Sequence, residues 1–190
     1  MPAKERITRE QIIEAALALV RREGGEALSA RSLSRELHCS TQPIFRCFSS
    51  MEEVRAAVLE KVHENYLAYM AAACAESPYP AYKASGLAYI RYAGDEPNCF
   101  RMLFMRGREA GDEGPEKEDW EPTIRGVAAV TGLGYAEAER FHLTLWAVVH
   151  GLAVMRATGY LPLDDAAAGD LLSDAYQGLR KKWEDTDERH

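Results

Sequence analysis

The run that most constrains this chain lies between Leu28 and Phe48, LSARSLSRELHCSTQPIFRCF. Two serines, Ser29 and Ser40, each precede a short stretch with apolar residues four apart, Leu33 and Leu37 in the first and Ile44 and Phe48 in the second. A serine hydroxyl accepts from an orphan N–H in a helix's first turn, so each serine predicts a helix start. Pro43 falls in the first turn of the second helix, where its missing N–H costs little. His38 and Cys39 are left to make a tight turn. With Ile44 and Phe48 turned inward, Thr41, Gln42, Phe45 and Arg46 stand on or beside an open face. Two short helices in this order, the second presenting small and polar side chains outward, have the build of a helix-turn-helix.

The flanks support that build. Thr8 to Arg22 reads as a helix, with Thr8 and Gln11 forming a capping box and Ile12, Ile13, Ala16, Leu17 and Val20 at helical spacing. Gly24-Gly25 ends it. Ser49 or Ser50 opens a long helix from Met51 to Ala75. Glu52 and Glu53 sit in its first turn, where the helix dipole favours them, and Val54, Val58, Val62 and Tyr69 trace one stripe. Ser77-Pro78 stops it.

Charge is unevenly spread. Residues 1–49 carry eight basic and six acidic side chains, a net +2, whereas the rest carries 15 against 24, a net −9. The N-terminal quarter alone suits a polyanion, and the acidic body is repelled by one. No apolar run approaches the ~20 residues of a membrane span, and the N-terminus, MPAKERITREQ, lacks an apolar signal core, so a cytoplasmic location is expected. Cys39, Cys47, Cys74 and Cys99 form no CxxC pair and read as free thiols, with no metal site or cofactor expected.

The remainder is helical too, with no alternating strand pattern. Pro80 to Ala93, Asn98 to Arg106 and Glu118 to Val130 are predicted helices, and Gly107 to Gly114 a Gly-rich, charged loop. Ala136 to Thr158 is apolar almost all round, which predicts burial on more than one side. Asp164 to Trp183 is the last predicted helix, and Glu184 to His190 a polar, frayed tail. An all-α fold of about nine helices follows. A helix-turn-helix domain of residues 1–50 precedes a second domain of residues 51–190.

Taken together, the capped helix ending in Gly-Gly, Leu28-Ser29, the segment Ser40-Thr41-Gln42-Pro43-Ile44-Phe45-Arg46-Cys47-Phe48 and Glu52-Glu53-Val54 closely resemble the TetR family of bacterial repressors over residues 5–65. Trp146-Ala147-Val148-Val149-His150-Gly151-Leu152 looks like the Trp…His-Gly signature of the WHG subgroup of its C-terminal domains. Two positions depart from the family pattern: Met51 stands where a phosphate-contacting Lys is common, and Phe45 where Tyr is usual. The resemblance implies a transcriptional regulator that binds a palindromic double-stranded DNA operator. A homodimer would form through the last two helices, 136–158 and 164–183, and a small, largely apolar effector would release a repressor.

Within that frame the residues acquire candidate roles. Ser40 and Thr41 suit phosphate at a helix N-terminus. Gln42 can pair with adenine, and Arg46 can reach guanine or phosphate. Pro43 presents this face. Phe45 can pack against a sugar. Arg31 and, in the N-terminal arm, Lys4 and Arg6 are phosphate or minor-groove candidates. Tyr66, Met70, Tyr89, Phe100, Phe104, Trp120, Trp146 and His150 are the aromatic and Met residues expected around an effector. An enzyme is disfavoured, because no nucleophile elbow, HExxH or Gly-rich phosphate loop occurs. An alternative regulator would respond to a partner protein or to oxidation of Cys39 and Cys47, which flank the predicted recognition helix.

Overall fold

In the computed structural model of the chain, the described residues are 6–105 and 117–187, with the side chains of 117–119 and 184–187 outside the description. Among these residues there are nine α-helices and no strand. They are α1 (Arg9–Glu23), α2 (Ala30–Glu36), α3 (Gln42–Cys47), α4 (Met51–Ala75), α5 (Ala81–Asp95), α6 (Pro97–Phe104), α7 (Lys117–Thr131), α8 (Tyr135–Thr158) and α9 (Asp165–Asp187). The chain forms two compact units: residues 1–69 with 95–106, and residues 70–94 with 107–190. The first compact unit therefore extends past residue 50, taking in most of α4 and all of α6.

Three helix starts in the first unit, those of α1, α2 and α4, are fixed by side-chain caps. Thr8 Oγ1 accepts from Gln11 N–H at 3.2 Å while the Gln11 side chain accepts from Thr8 N–H at 2.9 Å, closing the expected box. Ser29 and Ser32 make the same reciprocal pair at α2. At α4, Ser50 Oγ accepts from Glu53 N–H at 3.2 Å, and the Glu53 carboxylate accepts from Ser49 N–H at 2.7 Å. Those bonds to Ser49 hold the Glu53 carboxyl below the usual range. Ser40 is a correction: the N-cap of α3 is Thr41, in αR conformation and without a side-chain cap bond. Pro43 so early in α3 already removes one of the donors that a cap would satisfy.

Ile12, Ala16, Val20, Leu28, Leu33, Ile44, Phe48, Val54 and Val58 are buried together as the first unit's core. Each large member contributes ~1.5–3 kcal/mol by leaving water. Helix α6 is bound to the end of α1: Asn98 Nδ2 donates to Arg21 O at 2.9 Å and Arg21 Nε to Glu96 at 3.2 Å. At that end Gly24 sits at φ 89, a conformation that L side chains rarely adopt.

In the second unit, α5, α7 and α9 pack around α8, whose Ala138, Phe141, Leu145, Val149, Leu152 and Ala153 are buried. Helix α5 approaches closely at Gly86, where a Cβ would stand 3.0 Å from Leu172 and 3.3 Å from Val149. Asp165, at the start of α9, accepts from Arg91 of α5 at 2.8 Å and Arg156 of α8 at 2.6 Å. Several boundaries differ from expectation. Helix α5 continues through Gly94 to Asp95, α6 starts at Pro97, and α9 runs on to Asp187 instead of fraying at Glu184. Gly94 is tolerated in α5 because Arg156 lies where its Cβ would be. The predicted loop Gly107–Gly114 lies outside the described residues.

Candidate nucleic-acid interface

The turn between α2 and α3 decides how α3 is presented. Cys39 N–H donates to Ser34 O at 2.9 Å and His38 N–H to Arg35 O at 3.2 Å. These are the 6→1 and 5→2 bonds of a Schellman motif, with His38 in its left-handed position at φ 50. The chain reverses at once into α3, whose Ile44 and the adjoining Phe48 are buried. The opposite face is open: Ser40, Thr41, Gln42, Phe45 and Arg46 are exposed and Pro43 half-buried. Phe45 is 48% exposed, a large ring that the core does not require. Arg31 and Arg6 are exposed as well, and neither joins an ion pair among the described residues. Lys4 lies outside the described residues.

The support around this face contains residues that motif reading passed over. Arg55 of α4 donates to Gly25 O at 3.0 Å and to Leu28 O, binding α4 to the turn that leads into α2. Arg22 makes a two-pronged contact with Glu36, at 3.3 and 2.8 Å, fastening α1 to α2 and holding the Glu36 carboxyl below its ordinary range. Arg9 lies over the Phe48 ring at 4.6 Å and reaches Glu53 at 3.8 Å. No periodicity marks Arg55 or Arg9, because their partners are backbone carbonyls and residues far along the chain. Arg46 is also engaged: its Nη2 donates to Ile7 O at 3.2 Å.

The eight residues expected around an effector divide between the units. Tyr66, Phe100 and Phe104 belong to the first, where Phe104 packs edge-on against Tyr66 at 5.2 Å and tilted against Phe100 at 5.1 Å. Met70, Tyr89, Trp120, Trp146 and His150 belong to the second. There Trp146 stacks on His150 at 4.9 Å with 5° between planes, and Trp120 leans on Trp146 at 5.6 Å. Tyr89 Oη and His150 Nδ1 are 2.9 Å apart. A second pair repeats two helical turns away: Tyr82 Oη and His142 Nδ1 are 3.0 Å apart, with Trp120 edge-on to His142. His142, Trp146 and His150 stand four apart on α8, so this face was legible as a spacing, but Tyr82 was not.

Burial lowers the affinity of both imidazoles for a proton and raises the Tyr82 phenol well above its usual range. This cluster of rings is therefore neutral and aromatic. Among the described residues, no group of three or more His, Cys, Asp or Glu side chains is placed to hold a metal ion. Cys39, Cys47, Cys74 and Cys99 are free thiols. No described helix is long and apolar enough to cross a membrane.

Comparison with known proteins agrees with this architecture. The family described as "Tetracyclin repressor-like, C-terminal domain" matches residues 82–176, half of the chain. An uncharacterized HTH-type transcriptional regulator of Mycobacterium tuberculosis is 27% identical, over 95% of this chain and 84% of the relative. The fold is that of a TetR-like transcriptional regulator from Rhodococcus, with TM-score 0.66 at 17% identity over 93% of this chain and 98% of the other. It is similarly that of a regulator described as putative from Pseudomonas aeruginosa, with TM-score 0.67 at 18% identity over 93% of each chain. Helix-turn-helix, all-α body and family match coincide: the chain belongs to the TetR family of DNA-binding transcriptional regulators.

Proposed function

We propose that this protein represses transcription by binding a palindromic operator as a homodimer, and that a small, largely apolar effector releases it. One observation carries the DNA reading. Helix α3 buries Ile44 and leaves Thr41, Gln42, Phe45 and Arg46 exposed. Those side chains include an amide and a guanidinium, beside exposed Arg31, in the N-terminal quarter, which carries a net +2 while the rest of the chain carries a net −9. In this reading Gln42 reads a base edge, Thr41 and Ser40 meet phosphate at the start of α3, and Arg31 meets phosphate from α2. Pro43 keeps the helix start rigid, and Phe45 packs on sugar. Residues 1–50 do the reading, and residues 51–190 sense the effector and pair two copies.

The decisive experiment is selection of genomic duplexes by the purified protein, followed by titration of the enriched sequence. Gln42→Ala is expected to cost ~1–3 kcal/mol on that duplex and to relax discrimination at one base pair. Arg31→Ala is expected to weaken all duplexes alike and to flatten the salt dependence by about one phosphate contact. Wild-type affinity in both variants would reject α3 as the reading helix.

Pairing through α8 and α9 is supported by apolar side chains left in water, Leu143 at 49%, Met155 at 36% and Leu171 at 44% exposure. A Leu143→Glu, Leu171→Glu double variant is expected to sediment as a monomer and to lose the palindrome; an unchanged dimer rejects this surface. The effector reading rests on the neutral aromatic cluster of Trp120, Trp146, Tyr89 and His150. Apolar aromatic compounds that release wild type should fail on Trp146→Ala. Equal release of both proteins would place the site elsewhere.

A further inference from the structure

Arg46 has the side chain of a base reader but not the placement of one. A guanidinium that reads guanine presents two parallel donors to the O6 and N7 edge. Here one of its terminal nitrogens is turned toward α1 and donates at 3.2 Å to Ile7 O. Ile7 immediately precedes Thr8, whose capping box fixes the start of α1. The Cys47 thiol, on the next residue of α3, points at the same carbonyl from 3.9 Å. Arg9, on the other side of the cap, lies over Phe48 at 4.6 Å and reaches Glu53 at 3.8 Å. Ile7, just before the cap, is thus attached to the last turn of α3, and Arg9, just after it, to Phe48 and Glu53. Arg6, the first residue beyond the attachment, is exposed and cationic.

We propose that Arg46 is a positioning residue: it fixes Ile7 to α3, so that when α3 meets a duplex, Arg6 meets the DNA beside it. The inference rests on the DNA-binding reading of α3 and adds a division of labour within it. Gln42 carries base discrimination, and Arg46 acts through Arg6. An unattached arm is ordered only on binding, and that ordering entropy opposes association. With Ile7 held by Arg46, the backbone at Arg6 is already placed beside α3. Loss of either residue then removes the same DNA contact.

A double-mutant cycle reads this directly, because two residues serving one contact are not additive. The probe is the duplex enriched by the full-length protein from a random-sequence pool, titrated at several salt concentrations. Arg6→Ala and Arg46→Ala are each expected to weaken binding about tenfold and to lower the salt slope by about one. The double variant should be no more than about twofold weaker than either single one. A loss equal to the product, about a hundredfold, would mean that Arg46 touches DNA independently and would overturn the proposal. So would Arg6→Ala binding like wild type. Thermal melting controls for folding, and Arg46→Gln takes the place of Arg46→Ala in the cycle if the latter melts below the assay temperature. Failure of the wild type to enrich any duplex rejects the DNA-binding reading itself and is seen before any variant is made.

Discussion

Helices α2 and α8 end on the same hydrogen-bond pattern with different residues at its critical position. After α8, Gly159 N–H donates to Arg156 O at 3.2 Å and Tyr160 N–H to Met155 O at 3.0 Å. After α2, His38 and Cys39 make the equivalent pair. The left-handed residue is Gly159 at φ 68 in one case and His38 at φ 50 in the other. Glycine takes that conformation without a Cβ penalty, whereas another L residue bears ~1–2 kcal/mol. The α2 turn is held regardless, because α3 is anchored by Ile44 and Phe48 and the start of α2 by the Ser29–Ser32 box and Arg55. The α8 turn leads to exposed Tyr160 and Leu161 and leans on its glycine. In the first unit a strained turn is fixed by its neighbours; in the second the left-handed position is taken by glycine and the chain past it is tied back by Asp165, which accepts from Arg156 and Arg91.

One buried ring in each unit tests how separate the two units are. Phe48 is buried in the first and Phe141 in the second. Truncation of either to Ala is expected to cost ~3–5 kcal/mol, followed by denaturant unfolding with circular dichroism. Phe48→Ala should abolish binding to the selected duplex, since that ring seats α3. Phe141→Ala should leave the half-site affinity of the folded fraction unchanged. A cost below ~1 kcal/mol at either ring would remove it from the centre of its core.

The two turns supply the next largest contrast. His38→Gly is expected to stabilise the protein by up to ~1 kcal/mol, and Gly159→Ala to destabilise it by ~1–2 kcal/mol. Both are read as shifts in denaturant midpoint at constant slope. If His38→Gly destabilises, the imidazole makes a contribution in the turn that its backbone geometry does not account for, and the contrast fails.

How much of this was legible depended on the range of the interaction. Capping is local, so Thr8 with Gln11 and Ser29 before Leu33 could be read from spacing alone. Helix periodicity is local too, and the start and end of α4 at Met51 and Ala75 follow from Ser50 and the Ser77-Pro78 stop. Ser40 misled because two possible caps, Ser40 and Thr41, stand side by side before Pro43, and spacing does not choose between them. The end of α5 misled because Gly94 and Asp95 are turn residues locally, and only the Arg156 side chain alongside makes glycine the fitting residue inside the helix. The open face of α3 was legible because Ile44 and Phe48 fix its phase. What Arg46 holds was not, because Ile7 is 39 residues away. The aromatic set was a list by residue type. Type does not say that Tyr66, Phe100 and Phe104 gather in one unit and Trp120, Trp146 and His150 in the other.

The units should also part company with pH. In the second, burial pushes the proton affinities of His142 and His150 below the ordinary value of 6.5. Their neutral rings face Tyr82, Trp120, Tyr89 and Trp146. A lowered folded-state value means that the unfolded chain binds more protons. The stabilisation is therefore present in full above 6.5 and is lost as pH falls below it. The first unit relies on carboxylates instead: Glu36 held low by Arg22, and Glu53 by Ser49, each below the ordinary 4.5. Their contribution stays in place until pH falls past that range. Between about 6.5 and 4.5, then, the second unit should weaken while the first does not. All three tryptophans, Trp120, Trp146 and Trp183, lie in the second unit, so indole emission reports its melting selectively. Emission-detected melting should drop across this interval, and a His142→Gln, His150→Gln double variant should flatten the drop. A slope that survives in the double variant would assign the titration to other groups, and the Tyr–His pairs would then contribute packing alone.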